Sequence, residues 1–298
     1  MIKGVTIDKE SIYSESIGNY YFDSIEFRDN LYNKFSRSML LLLDSKKPRT
    51  VFTDKGRLEP RRAYRYNFSN NIFKTHQSIP TGDTTIVFLI DGSGSMDSGG
   101  RIEKCSAICS AFAKAVNDVA KNQIKFEVFV KHAPCVEDNQ YGGSFVTLTN
   151  ILSNAKEKVT DYDKILRLNT NSPLSSPDPD DREIGSYTAE FAVLPALRRW
   201  MAKHLTTKNA IVVNLTDGEA YCSLGAEGRK VGFNNYTNGQ MRTKYLYQVP
   251  HVTVVIGRNM KEKEKEYAYG KSVIECEDES FVPNLFKLFM GFLEQSYE

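Results

Sequence analysis

The chain has 298 residues, which is enough for one large α/β domain with an extension or for two small domains. Its hydrophobic fraction of 41% and its charged fraction of 26% are ordinary for a globular protein and argue against a disordered or fibrous one. Lysine and arginine total 39 against 37 aspartates and glutamates, so a net charge of +2 gives no overall reason to expect a nucleic acid or an anionic membrane as ligand.

The first part of the chain, residues 1–83, is polar and rich in tyrosine. One apolar helical pattern runs from Glu26 to Leu43 and predicts a helix there. The basic, aromatic stretch from Arg57 to Tyr66 has the residue types that contact phosphates and stack on bases. An extended arm packed on the main domain is the favoured interpretation of that stretch. We predict an N-terminal extension over residues 1–83 and a main domain over residues 84–298.

From Thr84 onward, predicted strands and helices alternate. Strands are predicted at Thr84–Asp91, Ile124–Val130, Ala210–Asp217, His251–Gly257 and residues 271–277, and helices at Glu103–Lys121, Thr188–His204 and Ser280–Gln295. Loops are predicted between the second strand and the helix at Thr188, and the insertion at residues 221–247 has no assigned structure. This order predicts an α/β fold with a doubly wound, mostly parallel sheet flanked by helices, which binds ligands beyond the carboxyl ends of its strands.

Two buried strands end in aspartate followed by glycine, at Asp91 and at Asp217. After Asp91 the chain continues with Ser93 and Ser95, which alternate with glycines that we expect to bend the loop and aim both hydroxyls inward. Oxygen atoms gathered at this rim suit a hard cation. The pattern D-x-S-x-S therefore predicts a Mg²⁺ site, with Mn²⁺ or Ca²⁺ as alternatives.

The string DGSGSM after the strand FLI resembles the metal-ion-dependent adhesion site of von Willebrand factor A domains. That resemblance implies that Ser93, Ser95 and Thr188 bind the metal directly and that Asp91 and Asp217 act largely through bound water. Thr188 lies in GSYTAE, just before a predicted helix, with Ser186 and Thr170 as nearby alternatives.

From about Phe27 to its end, the chain is also similar to the C-terminal A domain of the cobaltochelatase T subunit and to related bacterial and phage proteins. The stretches that carry this similarity are DKGRLEPRRAYRYNFSNNIFKTHQ, TDGEA, VTVVIG and the terminal helix. That subunit type usually has an aspartate in the third metal loop, where this chain has Thr188, as in other A domains.

The function predicted from this site is a non-catalytic, metal-dependent protein-binding module. A divalent ion with few anionic ligands keeps a position for an outside carboxylate, so a partner's Asp or Glu would complete its shell. The resemblance implies that the partner is an AAA+ ATPase of the MoxR or cobaltochelatase S-subunit kind. The chain itself has no G-x-x-x-x-G-K-[ST] motif, so it is not expected to be an enzyme that hydrolyses ATP.

Two other functions remain open at this point. A metal-dependent phosphotransferase or hydrolase could use Asp91 as nucleophile, although haloacid dehalogenase-type enzymes have a second acid where this chain has Ser93. The chain could instead bind a nucleic acid through the stretch from Arg57 to Tyr66, which is the least favoured of the three functions.

The expected location is the cytoplasm, or the host cytoplasm for a phage protein. No apolar run approaches the roughly 20 residues that span a bilayer, and the first ten residues lack the apolar stretch of a secretory signal. The five cysteines include no C-x-x-C pair. Cys105 and Cys109 lie four apart on a predicted helix, where core packing is favoured over metal binding or redox chemistry.

Overall fold

A computed structural model of the protein describes residues 21–45, 49–53, 55, 57–61, 73–77, 84–120, 123–134, 147–154, 161–168, 186–187, 190–205, 209–218, 250–257, 269 and 272–295. In chain order the strands are β1 (Arg49–Thr53), β2 (Arg57–Leu58), β3 (Phe73–Gln77), β4 (Thr84–Asp91), β5 (Ile124–Pro134), β6 (Thr147–Ser153), β7 (Ser186–Tyr187), β8 (Asn209–Thr216), β9 (His251–Ile256) and β10 (Val273–Cys276). The helices are α1 (Tyr21–Ser45), α2 (Arg101–Ala115), α3 (Glu190–His204) and α4 (Phe281–Gln295). No helix among these residues is both long enough and apolar enough to cross a bilayer.

A seven-stranded sheet forms the centre of the fold, with β4 in its interior. The order is β10-β9-β8-β4-β5-β6, and β7 pairs with the end of β5. The five strands from β10 to β5 are parallel, whereas β6 and β7 run antiparallel to β5. All eight residues of β4 are buried, as its continuous apolar sequence requires for a strand covered on both faces. The predicted α/β fold with a mostly parallel sheet is confirmed.

Helices cover both faces of this sheet. Side chains of α1, α2 and α4 join one large core with alternate residues of the strands, such as Ile86, Phe88 and Ile90 of β4. Val87 and Leu89 point to the opposite face, where they pack with Leu197 and Met201 of α3. The helix α3 contains Pro195, although an interior proline removes one helical hydrogen bond.

The predicted N-terminal helix is confirmed and is longer than expected. Its residues Leu31, Phe35, Met39 and Leu42 are buried in the same core as α2 and α4. Arg28 adds an ion pair with Asp163, which lies just before the short helical turn Lys164–Arg167. The helix α1 is thus part of the packing of the large sheet, while the boundary at residue 83 stays a prediction.

Two regions differ from the sequence-based expectation. The stretch predicted as loop after the second strand contains β6, an antiparallel edge strand. Its seven residues are too short and too mixed in polarity to be distinguished from loop by periodicity. The predicted arm begins with β2, which belongs to a small antiparallel sheet of order β1-β3-β2. The rest of that arm, from residue 62 to residue 66, lies outside the described residues.

Candidate metal site

The candidate site lies at the carboxyl ends of β4, β5 and β8. Asp91 is the last residue of β4 and pairs with Lys131 of β5, while its neighbour Ile90 pairs with Leu215 of β8. Thr216 follows Leu215, so Lys131 and Thr216 lie on the two sides of Asp91. All three side chains are buried. Strand register therefore brings together one acid, one base and one hydroxyl that are far apart in sequence.

Both oxygens of the Asp91 carboxylate are engaged by other groups of the protein. The backbone N–H of Ser93 donates to Oδ1 at 3.0 Å, and the Thr216 hydroxyl donates to Oδ2 at 2.8 Å. The Lys131 ammonium nitrogen lies 3.5 Å from the same Oδ2. These contacts fix the rotamer of Asp91 and orient the loop that begins at Ser93.

The two serine hydroxyls of the loop lie beside each other. Ser93 Oγ and Ser95 Oγ are 3.1 Å apart and share a hydrogen bond. A tight turn holds them, since the Met96 N–H donates to the Ser93 carbonyl at 3.0 Å and the Met96 side chain is fully buried. Ser93 is itself 3% exposed, whereas Ser95 is partly exposed. The loop thus presents a pair of hydroxyl oxygens near the surface.

The glycines of this loop differ in backbone conformation. Gly92 and Gly94 are not among the glycines with positive φ, but Gly99 and Gly100 have φ of 66° and 68°. Their left-handed backbone turns the chain into α2. The role of Gly92 and Gly94 in bending the loop stays a prediction, and the short helical turn Gly94–Gly100 leads from the serines to α2.

Asp217 is fully buried at the end of β8 and forms an ion pair with Arg101, the first residue of α2. The guanidinium Nη1 of Arg101 lies 3.1 Å from Asp217 Oδ2 and 3.1 Å from the Ser95 carbonyl oxygen. Arg101 also lies against Gly257, where an added Cβ would be 3.2 Å from its Nε. One guanidinium therefore joins the loops that follow β4, β8 and β9.

Thr188, the remaining predicted ligand, lies outside the described residues, as does its alternative Thr170. The chain just before Thr188 is positioned, because Tyr187 and Ser186 of β7 pair with Ala133 and Pro134 at the end of β5. Those two residues follow Lys131 closely. Thr188 therefore directly follows, in sequence, a strand that pairs with the carboxyl end of β5.

The residues present suit a small, hard cation. Ligands at 2.0–2.1 Å in adjacent positions of an octahedral Mg²⁺ shell lie about 2.9 Å apart, close to what two neighbouring hydroxyls can provide. The distance of 3.1 Å between the two serine oxygens fits this geometry. Among the described residues, no group of three or more His, Cys, Asp or Glu side chains is arranged to hold a metal. A cation here would thus depend on hydroxyl oxygens and water, with Asp91 and Asp217 behind them.

Three contacting residues of this site were not identified from the sequence: Lys131, Thr216 and Arg101. Thr216 directly precedes Asp217, and Lys131 follows the last residue of the predicted strand. Arg101 lies two residues before the predicted start of the helix at Glu103, so its place at the first residue of α2 was not visible in the sequence. The register of strand pairing decides which residues lie beside Asp91, and a single sequence does not reveal that register.

Among the described residues, the cysteines Cys105, Cys109 and Cys276 are buried in the core. Burial raises the pKa of the Cys105 and Cys109 thiols well above the ordinary cysteine value, and the neighbouring thiols and carboxylates raise the pKa of Cys105 further. Burial also raises the pKa of Cys276 to about 12. Such thiols are poor nucleophiles and poor metal ligands, which supports the packing role favoured by the sequence.

No known family model matches the chain, and no curated protein matches it. Among solved structures, two of proximal thread matrix protein 1 from the mussel byssus are similar to it, each with a TM-score of 0.42. Their sequence identities are 15% and 13%, over 71% and 72% of this chain. The chain spans about half the length of these proteins, 48% and 46%. A likeness of this degree adds no argument on function.

Proposed function

We propose that this protein is a non-catalytic binding module of the von Willebrand factor A type, which captures a partner protein through Mg²⁺. Ser93, Ser95 and Thr188 would hold the ion directly, and Asp91 and Asp217 would hold it through water. An Asp or Glu of the partner would complete its shell. The observation that carries the proposal is the pair of serine hydroxyls 3.1 Å apart beside two buried carboxylates.

The contacts of Asp91 support a binding role over a chemical one. Its carboxylate accepts hydrogen bonds from the Ser93 N–H and the Thr216 hydroxyl and lies beside Lys131, so each of its two oxygens is held by a fixed donor. A nucleophile needs an oxygen aimed at the substrate and exposed to it. Asp91 is 1% exposed, which favours a role in orienting the metal loop over attack on a phosphate.

The bound ion would supply a Lewis-acidic position that faces solvent. The protein's own residues do the rest: Met96 anchors the loop in the core, Asp91 fixes its first turn, and Arg101 ties it to Asp217. A preorganised site of this kind loses little conformational entropy when a partner binds.

The kind of partner is suggested by the resemblance to the cobaltochelatase T subunit. We propose an AAA+ ATPase of the MoxR or S-subunit type, acting with this chain in the cytoplasm. The nucleic-acid alternative has less support, since Arg57 and Arg61 are exposed but the remaining basic and aromatic residues of that stretch lie outside the described residues.

Replacing both serines, Ser93→Ala with Ser95→Ala, tests the metal site. We expect Mg²⁺ affinity, measured by titration calorimetry, to fall at least tenfold, because two neutral oxygen ligands are lost. The free energy of unfolding should change by less than about 1 kcal/mol, since the two hydroxyls hydrogen-bond to each other and leave together.

A matched control is the neutral change Ser98→Ala, at an exposed position of the same loop. It should bind Mg²⁺ as the wild type does. Co-purification with the AAA+ ATPase encoded nearest to this gene, with Mg²⁺ or with EDTA, extends the test to the partner. Capture that persists in EDTA and in the double serine variant would contradict the metal-bridged mechanism.

A further inference from the structure

The proposed cation site contains two basic side chains that a simple oxygen cage does not require. Lys131 Nζ lies 3.5 Å from Asp91 Oδ2, and Arg101 Nη1 lies 3.1 Å from Asp217 Oδ2. Within the described part of the chain, both carboxylates of the site thus already have a protein cation as partner. A divalent ion that enters such a site meets two carboxylates whose charge is already partly compensated.

We infer that Arg101 and Lys131 make metal and ligand binding cooperative: Mg²⁺ binds weakly alone and tightly only together with an acidic group from outside. This inference rests on the proposed function. With both carboxylates paired, the added ion leaves an excess of positive charge at the rim. A carboxylate from a partner offsets that excess, and its binding strengthens that of the ion by the same factor.

The position of Arg101 keeps its charge at the site. The guanidinium contacts the Ser95 carbonyl and the Asp217 carboxylate at the same distance, 3.1 Å, and lies against Gly257. Gly257 has a φ of 72°, a backbone conformation that residues with a Cβ rarely adopt. The lack of a Cβ at this position leaves room for the arginine side chain. Its side chain is 22% exposed, so it can be replaced with less damage to folding than the buried Lys131.

Arg101 is therefore a positioning and charge-setting residue, which acts on the ion through Asp217 and through the electrostatic field. If it served only to hold the loops together, its removal would weaken metal binding. If it sets the charge, its removal would strengthen the binding of Mg²⁺ alone. The two roles predict opposite signs, and this difference makes the inference testable.

The experiment compares Mg²⁺ titrations of the wild type, Arg101→Gln and Arg101→Lys by calorimetry, in chloride and in acetate at equal ionic strength. Acetate serves as a minimal carboxylate. For the wild type we expect tighter Mg²⁺ binding in acetate than in chloride. For Arg101→Gln we expect Mg²⁺ binding in chloride about tenfold tighter, as the loss of one neighbouring unit charge produces at a partly exposed site, and a smaller gain from acetate. Arg101→Lys keeps the charge and should restore most of the wild-type behaviour.

Lys114→Gln is the matched control, because it removes one positive charge from the other end of α2. Circular dichroism and thermal unfolding establish that each variant is folded, and Arg101→Ala replaces Arg101→Gln if the latter is not. Absence of Mg²⁺ binding to the wild type in both buffers overturns the proposed metal site. Wild-type binding that gains nothing from acetate, or that is unchanged or weakened in Arg101→Gln, overturns the charge inference alone.

Discussion

The two faces of the large sheet are built from different kinds of residue. The face under α1, α2 and α4 is apolar, and its aromatic rings pack edge to face around Phe112, with centroids 4.8 Å from Phe88 and 5.5 Å from Phe35. Among the described residues, the face toward α3 has fewer buried apolar side chains and also carries a row of buried polar ones: Thr85, Asp91, Glu127, Lys131, Asn214, Thr216 and Thr253.

The polar row needs an explanation because burying a polar group costs free energy unless it is paired. Glu127 accepts hydrogen bonds of 2.7 Å from Asn150 and from Ser153, whereas Thr253 Oγ1 is buried with no hydrogen-bond partner among the described atoms. The row also includes Asp91 and Lys131 at the carboxyl edge, where the candidate site lies. The difference between the faces indicates that one face supplies stability and the other supports the site.

The largest loss of stability should come from Phe112→Ala on the apolar face. Because the ring is fully buried among other rings, we expect the free energy of unfolding to fall by about 3–5 kcal/mol. Urea denaturation followed by circular dichroism measures it, and Phe112→Leu should lose less than half as much. A loss below about 1 kcal/mol for the alanine variant would mean that this face does not dominate stability.

A smaller loss of stability is expected from Glu127→Ala on the polar face. It leaves the buried Ser153 hydroxyl and the partly exposed Asn150 amide without this acceptor, and we expect a loss of about 1–3 kcal/mol in all, because water can reach the Asn150 amide. Mg²⁺ affinity should stay within about twofold of wild type, since Glu127 lies four residues, roughly 13 Å, along β5 from Lys131. Lys125→Ala on the same strand is the control. A large loss of Mg²⁺ affinity would show that the polar row and the site are one unit.

Some of this organisation could be predicted, because it depends on the local sequence of single strands and loops. The strands β4 and β8 were predicted to within one residue, because their apolar runs end abruptly at Asp91 and Asp217. Since parallel strands end at one edge, these two aspartates and the serine loop were expected to lie together, and the structure brings them together. The metal itself, and the role of Thr188, stay predictions.

The residues that sequence analysis missed depend on pairing between distant segments. Lys131 becomes part of the site only because Asp91 pairs with it across β4 and β5. Arg101 reaches Asp217 across 116 positions of the chain. Likewise, the polar character of the α3 face was hidden, because Glu127 and Asn214 interrupt apolar runs singly and look like ordinary variation within a strand.

The smallest effect is expected from Glu103→Gln on α2. Burial, and secondarily the nearby Asp97, raises the pKa of the Glu103 carboxyl, and its Oε2 is buried with no hydrogen-bond partner among the described atoms. Because the folded-state pKa is raised, the wild type loses stability as pH rises through it. The neutral glutamine avoids that loss, so the variant should be slightly more stable at neutral pH.

The pH dependence of the gain in stability distinguishes the raised pKa of Glu103 from other causes. Below the usual range of a glutamate pKa both side chains are neutral, so the difference in thermal unfolding midpoint should disappear in acid. Asp97→Asn, which removes only the neighbouring charge, should give a smaller gain of the same sign. A gain that is equal at acidic and neutral pH would point to packing or helix propensity instead.

The place of α1 in the fold has a consequence for how the protein is made. Its apolar stripe of Leu31, Phe35, Met39 and Leu42 packs in one core with α4, which begins roughly 240 residues later. At ribosomal rates of about 5–20 residues per second, the emerging chain carries that stripe without its final cover for roughly 10–50 s. Until synthesis reaches Phe281, α1 is thus a natural point of contact for a chaperone.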